Sequence, residues 1–263
     1  MVEYPVNEII HGDCLEVMAE FPDRCFDMVL CDLPYQVTSC AWDKMIPLEP
    51  LWEQYKRVTK DNAAIVLTAS QPFTTLLISS NMKMFKYCWV WEKAIGANPL
   101  LCKKRPMMYH EDIVIFYKQL PTYNPQMTKG KMRDKRIQMS GRTKSFVHGN
   151  AIHSKVGKNE YLKSNINDEY YPKSVQYFSN ANQKDKVHPT QKPVALFEYL
   201  IKTYTKEGDL ILDNCVGSGT TAVAAENLGC RWIGIEKEEK YVQIARERIA
   251  KERLKRSQLP LRL

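Results

Sequence analysis

The chain alternates short, almost continuously apolar runs with longer amphipathic ones, and this alternation limits the fold more than any other feature of the sequence. The runs 8–13, 26–32, 210–213 and 231–236 each end in a carboxylate, and 63–68 is apolar throughout except for its last residue. An apolar run that does not alternate with polar residues reads as a strand buried on both faces. Helical patterns follow at 14–21, 50–58, 72–79, 220–228 and 238–255, and two further strands are predicted at 85–91 and 112–117. Pro193 opens another helix, in which Val194, Phe197, Ile201 and Tyr204 recur at helical spacing. In the helix after Glu236, Tyr241, Ile244, Ala245 and Ile249 are expected to face inward. Strands alternating with helices imply an α/β fold: a mostly parallel, twisted sheet flanked by helices. No internal repeat is evident.

With 263 residues, 44% of them hydrophobic, the chain can bury about 75% of its unfolded surface. That excludes disorder as the main state. The longest apolar stretches, such as 63–69, fall far short of the ~20 residues a membrane-spanning helix needs. No basic region followed by an apolar one opens the sequence, so a cytoplasmic protein is expected. The eight cysteines are scattered without a Cys-x-x-Cys pair, which argues against a zinc ribbon or a disulfide scaffold and for reduced, small apolar side chains.

The charge is localised. The net +8 lies wholly in the block 121–186, which has 13 basic and 5 acidic residues; the remainder is balanced at 25 of each. The block is rich in Asn, Gln, Ser and Tyr and poor in Leu, Val and Ile. It reads either as a solvated loop region or as a surface for a polyanion, with Tyr123, Phe146, Tyr161, Tyr170, Tyr171, Tyr177 and Phe178 able to pack or stack.

Two stretches carry chemistry. In 210–221 a strand enters a Gly-x-Gly turn (Gly217, Gly219) and then a helix, a geometry that brings backbone close to a ligand at a helix N-terminus. Glu236 ends the next strand, 17 residues after Gly219, where a carboxylate can bond ribose hydroxyls. No Gly-Lys-Ser/Thr follows, so this is not a Walker loop, and the dinucleotide Gly-x-Gly-x-x-Gly is incomplete. An ordinary capped turn is the alternative; Asp213 and Glu236 together favour a nucleoside-type cofactor. The second stretch is Asp32-Leu-Pro-Tyr35 at the end of a buried strand. It offers a carboxylate and a proline-fixed carbonyl as two acceptors beside an aromatic ring, which suits an exocyclic amino group on a flat base. A plain strand-terminal turn is its competing reading.

Asp32-Leu-Pro-Tyr35 resembles the Asp-Pro-Pro-Tyr motif of S-adenosylmethionine-dependent DNA amino-methyltransferases. Asp213-Asn-Cys-Val-Gly-Ser-Gly-Thr220 resembles their Asp-Pro-Phe-x-Gly-Ser-Gly-Thr cofactor loop. His188-Pro-Thr-Gln-Lys-Pro193 and His11-Gly-Asp-Cys-Leu15 are similar to two further elements of that family. The order, catalytic motif before cofactor loop with a variable segment between, is similar to the β-group, whose intervening segment reads the target. The chain departs from the pattern in two places: Leu33 stands where the family has a proline, and Asn214-Cys215 where it has Pro-Phe.

The resemblance implies a Rossmann-like methyltransferase fold made of 1–120 and 187–263, with 121–186 as an inserted target-recognition region. It implies S-adenosylmethionine as cofactor, held by Asp213, Cys215, Gly217, Ser218, Gly219, Thr220 and Glu236, with Asp13, Thr190 and Lys192 as further candidates. Asp32, Pro34 and Tyr35 would be catalytic: two acceptors favour the charge-developing amino nitrogen, and the ring stacks on a base flipped out of the duplex. Double-stranded DNA is the expected partner; a homodimer and a cognate restriction endonuclease are left open. No catalytic metal is expected, because no second His or Cys stands at metal-ligand spacing from His188. An Asp at the first motif position is similar to adenine-N6 enzymes, whereas Ser is more usual for cytosine-N4. The absence of a Pro-Cys dipeptide argues against a C5-cytosine enzyme. Competing readings are a cytosine-N4 or RNA amino-methyltransferase, a non-catalytic DNA-binding protein of the same fold and, more remotely, a nicotinamide-dependent oxidoreductase.

Overall fold

A computed structural model describes residues 5–35, 44–134, 166–181 and 191–258. The elements run β1 (Glu8–His11), α1 (Cys14–Glu20), β2 (Phe26–Asp32), α2 (Leu48–Val58), β3 (Thr59–Ala69), α3 (Phe73–Ser80), β4 (Phe85–Ala97) and β5 (Met108–Phe116). After these come β6 (Thr128–Asp134), β7 (Ile166–Tyr170), β8 (Val175–Tyr177), α4 (Val194–Tyr204), β9 (Leu210–Asp213), α5 (Thr220–Asn227), β10 (Arg231–Glu236) and α6 (Glu239–Ser257). Two compact units result: residues 1–124 with 173–263, and residues 125–172.

In the larger unit the strands form one sheet in the order β1-β10-β9-β2-β3-β5-β4-β8. Every neighbouring pair is parallel except those made by β5, which runs against β3 and β4. The expected mostly parallel α/β sheet is therefore what the chain adopts. Successive strand residues point to opposite faces, and the core divides accordingly. Met28, Leu30, Ala64, Val66, Ile113 and Ile115 pack with Leu196, Phe197, Ala222, Ala245 and Ile249 of α4, α5 and α6. Val29, Cys31, Ile65, Leu67, Val114 and Phe116 pack with Met18, Trp52, Tyr55, Phe73 and Leu77 of α1, α2 and α3. Both faces being covered is why the strands read as unbroken apolar runs.

Two features were not legible in sequence. Thr59–Ala69 and Phe85–Ala97 extend well past the apolar cores expected at 63–68 and 85–91. Within the basic block, β8 pairs with β4 as an edge strand of the main sheet. The smaller unit is built on the antiparallel pair β6–β7, register Thr128 to Tyr170 through Asp134 to Ile166. These strands are polar and carry no alternating pattern, so composition marked the block but not its strands.

The topology fixes where a ligand can sit. From β2 the chain proceeds outward to β3; from β9 it proceeds the other way, to β10. The order thus reverses between β9 and β2, and ligands of open α/β sheets bind at the carboxyl ends of the strands flanking such a reversal. Asp213 ends β9 and Asp32 ends β2.

Candidate active site

At that edge lies a cavity of about 910 Å³, within the usual range of ligand pockets. It is lined by Asp13, Asp32, Pro34, Tyr35, Lys192, Asp213, Cys215, Gly217, Ser218, Thr220 and Glu236. One cavity therefore gathers every described catalytic or cofactor candidate of the sequence but one. Gly219 is not among its lining residues. It caps α5 with φ +79° and faces α6, where an added Cβ would lie 3.3 Å from Ala245 Cβ. Thr190, like His188, lies outside the described residues.

At the β9–β10 end, Glu236 is fixed by the loop opposite it. Gly217 N–H donates to Glu236 Oε2 (2.8 Å) and Glu238 N–H to Oε1 (2.9 Å). Burial raises the Glu236 carboxyl above its ordinary range, and these backbone donors offset part of that rise. Gly217 has φ +52°, a left-handed conformation that suits glycine. Asp213 is buried; its Oδ1 accepts from Cys215 N–H (3.1 Å) and its Oδ2 from the Thr221 hydroxyl (2.5 Å). Burial pushes this carboxyl up to about 6 against those bonds. Asp13 caps α1 by accepting from Leu15 N–H (3.0 Å) and pairs with Lys237 at 3.0 Å. The capping role and the cavity position coexist.

Arg248 escaped sequence reading because it sits in a strongly charged helix. It is buried, and its guanidinium donates to Ser218 O (2.9 Å), Ser218 Oγ (3.1 Å) and Thr220 Oγ1 (3.0 Å). The glycine loop is thus held from behind. The available signal was the spacing of Arg248 with Ala245 and Ile249, which puts all three on one helix face.

The β2 end departs most from expectation. Tyr35 lines the cavity with its ring backed by Phe73 (centroids 5.3 Å apart, planes 25°). Its hydroxyl donates to Asp32 Oδ1 (2.5 Å) and to Thr68 Oγ1 (2.8 Å). Burial, with the Asp32 and Glu111 carboxylates adding to it, raises the phenol well above its ordinary value, so it stays a donor. Thr68 also donates to Asp32 Oδ1. Lys192, a cofactor candidate in the sequence, lines the same cavity and pairs with Asp32 Oδ2 at 2.7 Å and with Glu111 at 3.2 Å, while Lys93 pairs with Glu111 at 3.0 Å. Burial alone would push the Lys192 ammonium down; the two carboxylates outweigh it and hold it above its ordinary range. Glu111 and Lys93 come from the antiparallel strand pair and carry no motif, so nothing in the sequence linked them to Asp32.

Both departures from the family pattern are absorbed. Leu33 is buried in the sheet core. Asn214 is buried and accepts from the Tyr55 hydroxyl at 2.6 Å, and Cys215 packs against the cluster that contains Cys14 and Cys31.

Carboxylates at three strand ends, a glycine turn against one and a cluster of donors around another meet in one cavity at the switch point, as in Rossmann-like enzymes that bind a nucleoside cofactor. Residues 26–247 match the family model described as DNA methylase, and the chain belongs to this N6/N4 DNA methylase family, whose methyl donor is S-adenosylmethionine. It is 28% identical to the type II methyltransferase M2.DpnII of Streptococcus pneumoniae over 93% of this chain and 90% of that one. It is also 28% identical to the type II methyltransferase M.BglII of Bacillus subtilis, over 91% and 68% of the two chains. The fold matches that of the M1.HpyAVI–SAM complex with TM-score 0.61, 22% identity and 92% and 98% coverage. It likewise matches the PvuII cytosine-N4-specific DNA methyltransferase with TM-score 0.63, 16% identity and 93% and 90% coverage. The chain is a DNA methyltransferase with DNA as its substrate. No helix among the described residues is long and apolar enough to cross a membrane.

The residues present fit the cofactor. The left-handed Gly217 leaves open space where a Cβ would stand, the Glu236 carboxylate stands at the end of β10 in the same cavity, and Asp213, with no ammonium beside it, adds negative charge suited to a sulfonium.

Proposed function

We propose that the protein is a site-specific methyltransferase acting on the N6 amino group of adenine in duplex DNA, with the target base rotated out of the helix. The observation that carries this reading is the placement of Asp32 at the topological switch point, in one cavity with Glu236 and the glycine turn. S-adenosylmethionine, when bound, supplies a methyl group made electrophilic by its sulfonium. Glu236 bonds the ribose, and the backbone of 215–217 with Asp213 and Asp13 bounds the remainder. Asp32 and the Pro34 carbonyl accept the two amino protons, which favours the nitrogen as its lone pair leaves the ring. Thr68 and the Tyr35 hydroxyl aim the carboxylate by donating to Oδ1. Tyr35, backed by Phe73, forms the aromatic wall on this side of the cavity. The Asp at the head of the motif supports adenine over cytosine. The basic block 121–186 supplies the recognition region, including the β6–β7 unit.

The test is mass spectrometry of nucleosides from duplex DNA incubated with enzyme and isotopically labelled cofactor, alongside long-read detection of sequence context. The expected product is N6-methyladenine at a fixed sequence, absent with Asp32→Ala while cofactor affinity persists. N4-methylcytosine as the only product would overturn the adenine assignment, and undiminished transfer by Asp32→Ala would overturn the role of Asp32.

A further inference from the structure

Asp32 has no oxygen left idle. Oδ1 accepts from Tyr35 and Thr68, and Oδ2 is held by Lys192 Nζ at 2.7 Å. Oδ1 thus has both lone pairs engaged, so a target amino group would come to Oδ2, which keeps a second lone pair but already holds the Lys192 ammonium. There the amino group meets a positive charge beside it, and a buried ammonium cannot draw back from one carboxylate without another anion to go to. That anion is in place. Glu111 Oε2 lies 3.2 Å from Lys192 Nζ, is buried and receives no hydrogen bond, while Lys93 holds Glu111 Oε1 at 3.0 Å. The side chains of Lys192 and Lys93 are only 7% and 6% exposed, so water does not offer Lys192 an alternative. The four charges sum to zero, and they still do after the ammonium moves.

We propose that Glu111 is a positioning residue for methyl transfer, giving the Lys192 ammonium a second berth so that it can release Asp32 Oδ2 to the incoming amino group. The proposal rests on the reading of Asp32 as the amino acceptor. Moving Lys192 toward Glu111 does two things. It leaves Asp32 Oδ2 to the amino group alone, and it withdraws a positive charge from beside a nitrogen that becomes positive as the methyl group arrives. Both effects act more on the transition state than on bound cofactor, so they belong in kcat.

Glu111→Gln keeps the size of the side chain and removes its charge. It should lower kcat about 10- to 100-fold, the span of one hydrogen bond to a charged group, with cofactor affinity and the KM for duplex changed less than about twofold. Because Glu111 acts through Lys192, the double variant Glu111→Gln/Lys192→Met should be no slower than Lys192→Met alone. Glu111→Asp, which keeps the charge but withdraws it by one methylene, covers the case in which Glu111→Gln does not fold; it too should lose kcat at unchanged cofactor affinity. A purely structural Glu111 would lower thermal stability and leave kcat per folded molecule intact. Wild-type kcat in a folded Glu111 variant, or losses that multiply in the double variant, would overturn the proposal. Wild-type enzyme that leaves adenine unmethylated would remove the reading of the site on which it rests.

Discussion

Asp213→Asn should make the cofactor-free protein more stable at neutral pH while weakening its hold on S-adenosylmethionine. Asp213 is buried at the end of β9, and burial pushes its carboxyl from 3.8 up to about 6 despite hydrogen bonds from Thr221 and Cys215. Between those two values the folded chain keeps a proton that the unfolded chain has released. Ionisation therefore opposes folding: stability falls as pH rises through this window, and the whole cost is present above it. A rise of about two units corresponds to roughly 3 kcal/mol. Asparagine is neutral and nearly isosteric, so it removes that cost. It also exchanges one acceptor for a donor, and the Thr221 bond to Oδ2 loses about 0.5–1.5 kcal/mol. The net gain at pH 7.5 is about 1.5–2.5 kcal/mol, a rise in Tm of roughly 3–10 °C for a chain of this size. Near pH 4.5 the ionisation cost has shrunk to about 1 kcal/mol and the two terms cancel. Thermal unfolding of wild type and variant at pH 7.5 and 4.5, without cofactor, measures both. A variant less stable than wild type at pH 7.5, or a difference that ignores pH, would refute the argument that this carboxylate is held at the site against its own solvation.

Glu236→Ala should weaken S-adenosylmethionine binding by about 1.5–3 kcal/mol in calorimetry, and unchanged affinity would remove Glu236 from the site. Since burial raises the Glu236 carboxyl, wild-type affinity should fall on acidification at a higher pH than an exposed glutamate would give. Gly234→Ala places a Cβ about 2.4 Å from Val216 Cγ2, at the root of the cofactor loop. It should cost about 1–3 kcal/mol of stability and loosen cofactor binding together; a melting temperature equal to wild type would mean that the loop accommodates the methyl group. Binding of labelled duplex should fall about 10³–10⁵-fold between 50 and 200 mM salt if the basic block makes six to ten phosphate contacts. Fluorescence anisotropy with Lys135/Arg136 and Arg142/Lys144 changed to alanine tests this, and a flat salt dependence would return the block to a solvated loop.

What could be read from the sequence follows from how the sheet is buried. Strands β2, β3, β9 and β10 are covered on both faces, so each became an unbroken apolar run ending at the ligand edge, and the terminal carboxylates Asp32, Asp213 and Glu236 could be identified from strand ends alone. The same logic fails where burial is one-sided or absent. β8 is an edge strand with exposed Val175 and Tyr177, and β6–β7 is polar; neither leaves a periodic trace. The charged chain around Asp32 was invisible for a different reason. Lys192 meets Asp32 across 160 residues and Lys93 meets Glu111 across 18, and no local spacing encodes either meeting. Only the sheet order, which inserts β5 between β3 and β4, brings Glu111 to the edge where β2 ends.

That insertion also explains how one cavity serves two chemistries. β5 runs against its neighbours, so its beginning, not its end, lies at the carboxyl edge, and Glu111 enters the site from a strand that the parallel pattern would not have supplied. At the β9–β10 end the carboxylates are met by backbone donors and hydroxyls, which leave their charge uncompensated and suited to a cationic cofactor. At the β2 end the carboxylates are met by ammoniums, which neutralise the region and so suit the neutral base proposed to bind there. Between the two ends stands Asn214-Cys215. The Asn214 amide is tied to Tyr55 of α2, and the Cys215 thiol, flanked by Cys14 and Cys31, is raised well above its ordinary range by the neighbouring Cys31 and by burial, although its contact with Cys14 works the other way. A neutral thiol and a bonded amide add no charge where the two regions adjoin. Replacing an apolar Pro-Phe pair by a polar one is therefore compatible with a site whose ends must keep opposite electrostatic habits.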